Sequence, residues 1–405
     1  MSDIDQEILR GKYSAASSAL GYFYQCRYAL LEALNRLPNG ERICISIETL
    51  DDVVFETKGS AVDILQTKHH INAHATLTDG SPDLWNTLRI WIEGQADRTI
   101  PMDAQFFLVT TAICPDGTAA GYLRPEGRDN EKALEHLIAT ATTSTNKANK
   151  AAYIAFIQLT DAERLSILKS IIVLDGSPCI GQLDEQLQQT LFWAVKRNFL
   201  DSSLQRLEGW WYKRVLMHLA DSAAAPILGE ELESEVNRIR EQFKEENLPI
   251  DDDIMQATID ESGYMDRNFV KQLNLINVNK KRVFHAIRNY YRAFEQRSRW
   301  MREDLLLVGE LDRYEEKLVE EWDLLFQQMC DDLGVDAAEE EMAQAAKNLY
   351  AWVETGAHHP IRSGVTEPAI ARGTYQMLAD DLRVGWHLKF REHIEALLSA
   401  ADIRT

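Results

Sequence analysis

Apolar residues recur every three or four positions from Ser14 to Leu37 (Ala16, Leu20, Phe23, Ala29, Leu30, Ala33, Leu34 and Leu37), which predicts a helix stopped by the turn Pro38-Asn39-Gly40. The period then shortens. Ile43-Cys44-Ile45-Ser46-Ile47, Val53-Val54-Phe55 and Val62-Asp63-Ile64-Leu65-Gln66 are short runs rich in β-branched residues. With Lys58-Gly59-Ser60 as a turn, they predict a meander of three strands. Ser81 and Pro82 suit the N-cap and first turn of a helix carrying Leu84, Trp85, Leu88, Trp91 and Ile92. Gln105-Phe106-Phe107-Leu108-Val109-Thr110-Thr111 reads as a further buried strand, so the first part of the chain is a mixed α/β domain.

Beyond Arg128 helical spacing dominates, interrupted by one strand candidate at Ser170-Ile171-Ile172-Val173-Leu174 and followed by two helices between Leu191 and Leu219. Ala223-Ala224-Ala225-Pro226 marks the expected boundary, giving domains of residues 1–225 and 226–405. From Leu228 onward the pattern is helical throughout. The expected class is α+β, a mixed sheet flanked by helices and then an all-α domain.

Composition adds exclusions. No apolar run reaches the length of a membrane span, and the acidic start Met1-Ser2-Asp3-Ile4-Asp5 lacks the layout of a secretory signal, so a cytoplasmic protein with no membrane is expected. The five cysteines are scattered and never form Cys-x-x-Cys, which indicates neither a disulfide framework nor a zinc ribbon. Net charge is −21, distributed as −5 over residues 1–100, −2 over 101–225 and −14 over 226–405. A polyanion would therefore meet the first part of the chain, and the acidic part suits protein partners.

The candidate chemistry lies between Ile43 and His70. Strand alternation puts Ile64, Gln66 and Lys68 on one face and Asp63 and Leu65 on the other. Glu48 closes the first strand, and Asp51 and Asp52 follow in the turn. Magnesium would take Asp52, with Glu48, the Gln66 side-chain oxygen or a backbone carbonyl, and waters. Lys68 would stabilise negative charge developing on a phosphate. That is the donor set of a metal-dependent phosphodiesterase, although acids around β-turns are also ordinary surface chemistry. His69, His70 and His74 include an i, i+4 pair without the carboxylate or cysteine that would complete a zinc set, so contact of His69 or His70 with a phosphate is the stronger reading. The run Arg288, Arg292, Arg297, Arg299 and Arg302, with Tyr290, Tyr291, Phe294 and Trp300, is expected to pack its aromatics inward. Its arginines would pair with Asp312, Glu315, Glu316, Glu320 and Glu321. No phosphate-binding Gly-Lys-Ser/Thr loop is present, which leaves ATP binding to a partner.

Gly21-Tyr22-Phe23-Tyr24-Gln25, Glu48-Thr49-Leu50-Asp51-Asp52-Val53 and Leu65-Gln66-Thr67-Lys68-His69-His70 resemble, in order and spacing, the double-stranded DNA endonuclease domain of cyclic-oligonucleotide antiphage effectors. That domain is a QxK variant of the PD-(D/E)xK restriction-endonuclease-like superfamily. The resemblance implies Asp52, Gln66 and Lys68 as catalytic residues and Glu48 as an accessory metal carboxylate. It also implies Tyr24 and Gln25 facing the site and Mg2+ (or Mn2+) as cofactor. Gln66 departs from the usual acid and leaves Asp63 or Glu48 as a substitute. Further on, Tyr290-Tyr291-Arg292-Ala293-Phe294-Glu295-Gln296-Arg297-Ser298-Arg299-Trp300, Glu320-Glu321-Trp322, Tyr375-Gln376-Met377-Leu378-Ala379-Asp380 and Val384-Gly385-Trp386-His387 resemble the C-terminal domain of ABC-three-component systems. Together the two resemblances imply the nuclease effector of a Lamassu (Ddm-type) defence system. It would be docked to an SMC-like ABC ATPase and a small middle subunit, and would be active as a homo-oligomer. A non-catalytic assembly adaptor with a degenerate nuclease fold is the alternative.

Overall fold

The computed structural model describes residues 16–39, 42–57, 60–70, 75–221, 225–334, 337–356 and 359–402. Ser14, the Lys58-Gly59 turn, His74 and the boundary residues Ala223 and Ala224 lie outside them. Two compact units, residues 1–239 and 240–405, make up the chain.

The first unit is built on a mixed six-stranded sheet in the order β5-β4-β3-β2-β1-β6. Helix α1 (Ala16–Arg36) leads into β1 (Ile43–Ile47), β2 (Val53–Thr57) and β3 (Ser60–Lys68). This is the expected meander, antiparallel throughout, with a register shift at Phe55/Glu56. After α2 (Pro82–Ala96), β4 (Gln105–Thr110) pairs parallel to β3. Helices α3 (Asn130–Thr143), α4 (Lys150–Gln158) and α5 (Asp161–Ser170) then lead to β5 (Ile171–Leu174), which is parallel to β4. A crossover with helices is what a parallel pair requires, and each parallel pair here has one.

One sheet face packs Val54, Ile64, Phe106, Leu108, Ile171 and Val173 against Trp85, Leu88 and Trp91 of α2 and Phe156 of α4. The other face is covered by α1. Arg36 there bonds Asp63 at 2.5 Å and stacks its guanidinium 4.0 Å over the Phe55 ring. Helix α6 (Leu183–Leu191) is followed by one helix, α7 (Leu200–Ala220), where the sequence predicts two. Trp211 of α7 donates its indole N–H to Cys26 O of α1 at 2.8 Å. Past Pro226 the chain returns as β6 (Ile227–Leu228), antiparallel to β1, before α8 (Gly229–Gln242). That pairing carries the first unit beyond the boundary expected at 225/226.

The second unit is helical: α9 (Asn268–Leu275), α10 (Lys280–Arg302), α11 (Glu310–Leu333), α12 (Glu339–Thr355), α13 (Pro368–Asp380) and α14 (Phe390–Asp402). Phe269, Ile287, Tyr290, Leu318, Tyr350, Tyr375 and Trp386 belong to its core. Helices α10 and α13 approach so closely that a Cβ on Gly373 would lie 1.9 Å from Asn289 O. The α10 aromatics Tyr290 and Trp300 are buried as expected, while Phe294 is exposed. Of the α10 arginines, Arg297 pairs with Glu315 of the acidic helix, but Arg299 turns to Asp253 at 2.7 Å. Arg282, at the start of α10, bonds Glu354 of α12. The helix contributes to more than one interface, so acids near in sequence are not its only partners. Among the described residues no helix is long and apolar enough to cross a membrane.

Candidate active site

The β1–β2 turn sets the site. Glu48 takes the left-handed conformation (φ 55°), and its N–H donates to Asp52 O at 3.1 Å, closing a compact loop around Asp51. A residue with a β-carbon pays for that conformation, so the loop has to be held by its surroundings. Two side chains do so. Gln25 of α1, buried, donates Nε2–H to the same carbonyl of Asp52 at 2.5 Å. Trp91 of α2 donates its indole N–H to Asp51 Oδ2 at 2.6 Å. A buried indole N–H needs an acceptor, and Asp51 supplies it.

The two turn acids engage different elements. Asp52 reaches β3, where its Oδ2 accepts from Thr67 N–H at 2.7 Å and from Thr67 Oγ1–H at 2.8 Å. Asp51 is held against α2, and its other oxygen accepts from Asp52 N–H at 3.0 Å. Burial pushes the Asp51 carboxyl up, to about 7, helped by the charge of Asp52 and opposed by Trp91, the Asp52 N–H and Lys68.

On β3, Ile64 lies in the core under α2, so Gln66 and Lys68, two and four residues on, belong to that face. Gln66 is 3% exposed and Lys68 is half-buried at the strand end. The same strand end is tied to β4: Thr111 N–H donates to Lys68 O at 3.2 Å, and His70 N–H donates to Thr111 Oγ1 at 2.8 Å. The His70 ring lies with Nε2 3.1 Å from Asp83 Oδ2 in the first turn of α2. The His69 ring lies tilted against that of Tyr24, which is fully buried, with centroids 4.8 Å apart. Tyr24 Oη and His69 Nδ1 are both buried without a hydrogen-bond partner among the described residues. Burial, with His70 adding to it, lowers the His69 pKa.

Tyr24, Gln25, Asp51, Asp52, Gln66, Lys68 and His69 lie at one end of the sheet but on its two faces. Asp51 is held by α2, on the side of Gln66 and Lys68, whereas Asp52 bonds the side chain of Thr67, which alternation places on the opposite side with Tyr24 and Gln25 of α1. Asp63, on the opposite face of β3, is occupied by Arg36, and Glu48 is exposed. Among the described residues the acids here do not form a group of three ligand atoms within 4.8 Å of one another. Magnesium does not demand one, because it retains waters and commonly uses one or two carboxylates with substrate phosphate oxygens. Asp51, Asp52 and Gln66 carry oxygens of the kind such an ion takes. Sequence reading missed Thr67, Trp91 and Thr111. A threonine between Gln66 and Lys68 and a tryptophan on a predicted core helix were the available signals.

The geometry is that of an α+β protein with a polar site at the end of a mixed sheet. Comparison with known families identifies the other unit: residues 269–394 match the model of C-terminal domain 7 of the ABC-three component (ABC-3C) systems. The match lies within the helical unit, which is thus similar over those residues to a C-terminal domain of that class. No curated protein matches the chain.

Proposed function

We propose that the protein is the double-stranded DNA endonuclease effector of an ABC-three-component defence system, Mg2+-dependent and of the Lamassu (Ddm-type) kind. One observation carries the reading: the Gln66-Thr67-Lys68 strand, the acidic turn and the Tyr24-Gln25 face of α1 converge on one sheet end, in a chain whose second unit matches the ABC-3C class.

In this reading Asp52 and Gln66, with Asp51 or Glu48 as the further carboxylate, would hold Mg2+ (or Mn2+). The ion supplies Lewis-acid stabilisation of the phosphate and a more acidic water. Lys68 places a positive charge where the scissile phosphate becomes more negative. Thr67 fixes the Asp52 carboxylate through two hydrogen bonds, and Gln25 fixes its backbone, so the acid is pre-positioned before DNA arrives. His69, held by Tyr24, borders the phosphate path. One such site cuts one strand, so duplex cleavage requires two copies. Self-association, released by an SMC-like ABC ATPase and a small middle subunit, is the proposed switch.

The adaptor reading draws on the same turn, since an Asp52 oxygen committed to Thr67 also suits a site kept only for its fold. Plasmid or phage-DNA degradation in cells that carry the partner genes separates the two. Nuclease action predicts degradation lost in Lys68→Ala with the protein level unchanged. Protection without degradation supports the adaptor.

A further inference from the structure

The helical unit carries a second polar cluster, far in sequence from the acidic turn. Glu339 opens α12, His387 sits in the segment before α14, and His393 lies in the first turn of α14. Their ligand atoms all fall within 4.8 Å of one another. Glu339 Oε1 is 3.2 Å from His387 Nε2 and 3.7 Å from His393 Nε2, and the two imidazoles stand edge to face with centroids 5.0 Å apart.

His387 makes the cluster more than a surface ion pair. Its side chain is 3% exposed, and its Nε2 is buried without a hydrogen-bond partner although the carboxylate oxygen is 3.2 Å away. The oxygen lies off the line of the ring N–H. In a tetrahedral zinc site with bonds of ~2.0–2.1 Å, neighbouring ligand atoms are ~3.3 Å apart and each lies roughly 35° off the other's lone-pair axis. The distance is that expected between two ligands of one cation, and Nε2 is left without a hydrogen bond.

We propose that Glu339, His387 and His393 bind one zinc-class divalent cation, Zn2+ above all, with the fourth position open to water. Two imidazoles and a carboxylate suit a borderline-soft ion, whereas Mg2+ and Ca2+ prefer all-oxygen sets. His387 Nδ1 accepts from Lys389 N–H at 3.2 Å, so binding at Nε2 moves the ring proton to Nδ1 and gives up that contact. One such hydrogen bond is small beside the binding strength of a structural zinc site. The ion joins the start of α12 to the start of α14 and closes the last helix onto the unit.

The test uses the full-length, untagged protein, stripped with a chelator and titrated with Zn2+ alone, with bound metal counted and thermal unfolding followed. The native chain is expected to hold one more tight zinc equivalent than Glu339→Ala or His393→Ala, and to unfold at higher temperature with zinc. Both variants lose that rise, and Mg2+ at the same concentrations produces none. Loss of either ligand should weaken zinc by more than the roughly 10–100-fold that a supporting outer partner costs. These two side chains are partly exposed, so the metal-free variants should unfold like the native chain. His387→Gln adds the buried ligand. Equal tight zinc in the native chain and both variants, or no tight zinc in the native chain, overturns the proposal.

Discussion

The helical unit and the sheet end treat charge in opposite ways. In the helical unit, buried charge is neutralised within the fold. Glu310 bonds Arg362 at 2.7 and 2.8 Å, and Arg297 pairs with Glu315 while touching Thr374. Burial alone would raise the Glu310 carboxyl, but Arg362, the Leu307 N–H and Arg313 outweigh it and hold it below its usual range. At the sheet end, Asp51 is buried and driven up to about 7, because Trp91 and the nearby Lys68 do not offset burial. At the same end of the sheet, Tyr24 Oη and His69 Nδ1 have no hydrogen-bond partner among the described residues.

The contrast can be broken most forcefully from the helical side. Arg362→Met leaves Glu310 buried and unpaired and should cost about 3–5 kcal/mol, read by denaturant unfolding of the full chain at pH 7. A loss under 1 kcal/mol would mean that the pair is not neutralising buried charge. Gly373→Ala drives a methyl into the Asn289 carbonyl and should cost about 1–3 kcal/mol as α10 and α13 separate. The same midpoints report it.

The pH dependence follows from the sign of the shift. Glu310 has a depressed pKa in the folded state, so its stabilisation is present above its unfolded value, near 4.3, and is lost as pH falls through the folded value. In Glu310→Gln the unfolding midpoint should fall less steeply below about pH 4 than in the native chain. Parallel acid profiles would contradict it. The smallest expected effect lies at the sheet end. Asp51→Asn keeps an acceptor for Trp91 and removes a charge the fold disfavours but gives up the bond from the Asp52 N–H, so stability at pH 8 should change by no more than about 1 kcal/mol. A marked loss would show that Asp51 is structural, and the contrast would fail.

The sequence carried the local parts of this picture. Period-two alternation predicted the meander and separated Asp63 from Gln66 and Lys68, and the Arg36–Asp63 pair occupies that opposite face. Pro82 does start α2, but Ser81 spends its hydroxyl on Thr78 N–H at 2.8 Å rather than capping the helix. What stayed hidden depends on distant pairing. Trp91 and Asp51 are forty residues apart, and β6 is a two-residue strand whose only signal is its pairing with β1. The partner of Arg299 was missed for the same reason: an acid near in sequence was expected, and the fold supplied Asp253.

The central claim is that the sheet end is a DNA-cleaving site. It is tested most directly by following plasmid DNA in cells that express the chain with its partner genes, comparing the native protein with Lys68→Ala at equal protein level. The account predicts degradation by the native protein and intact plasmid with Lys68→Ala. Degradation that persists in the variant would contradict it.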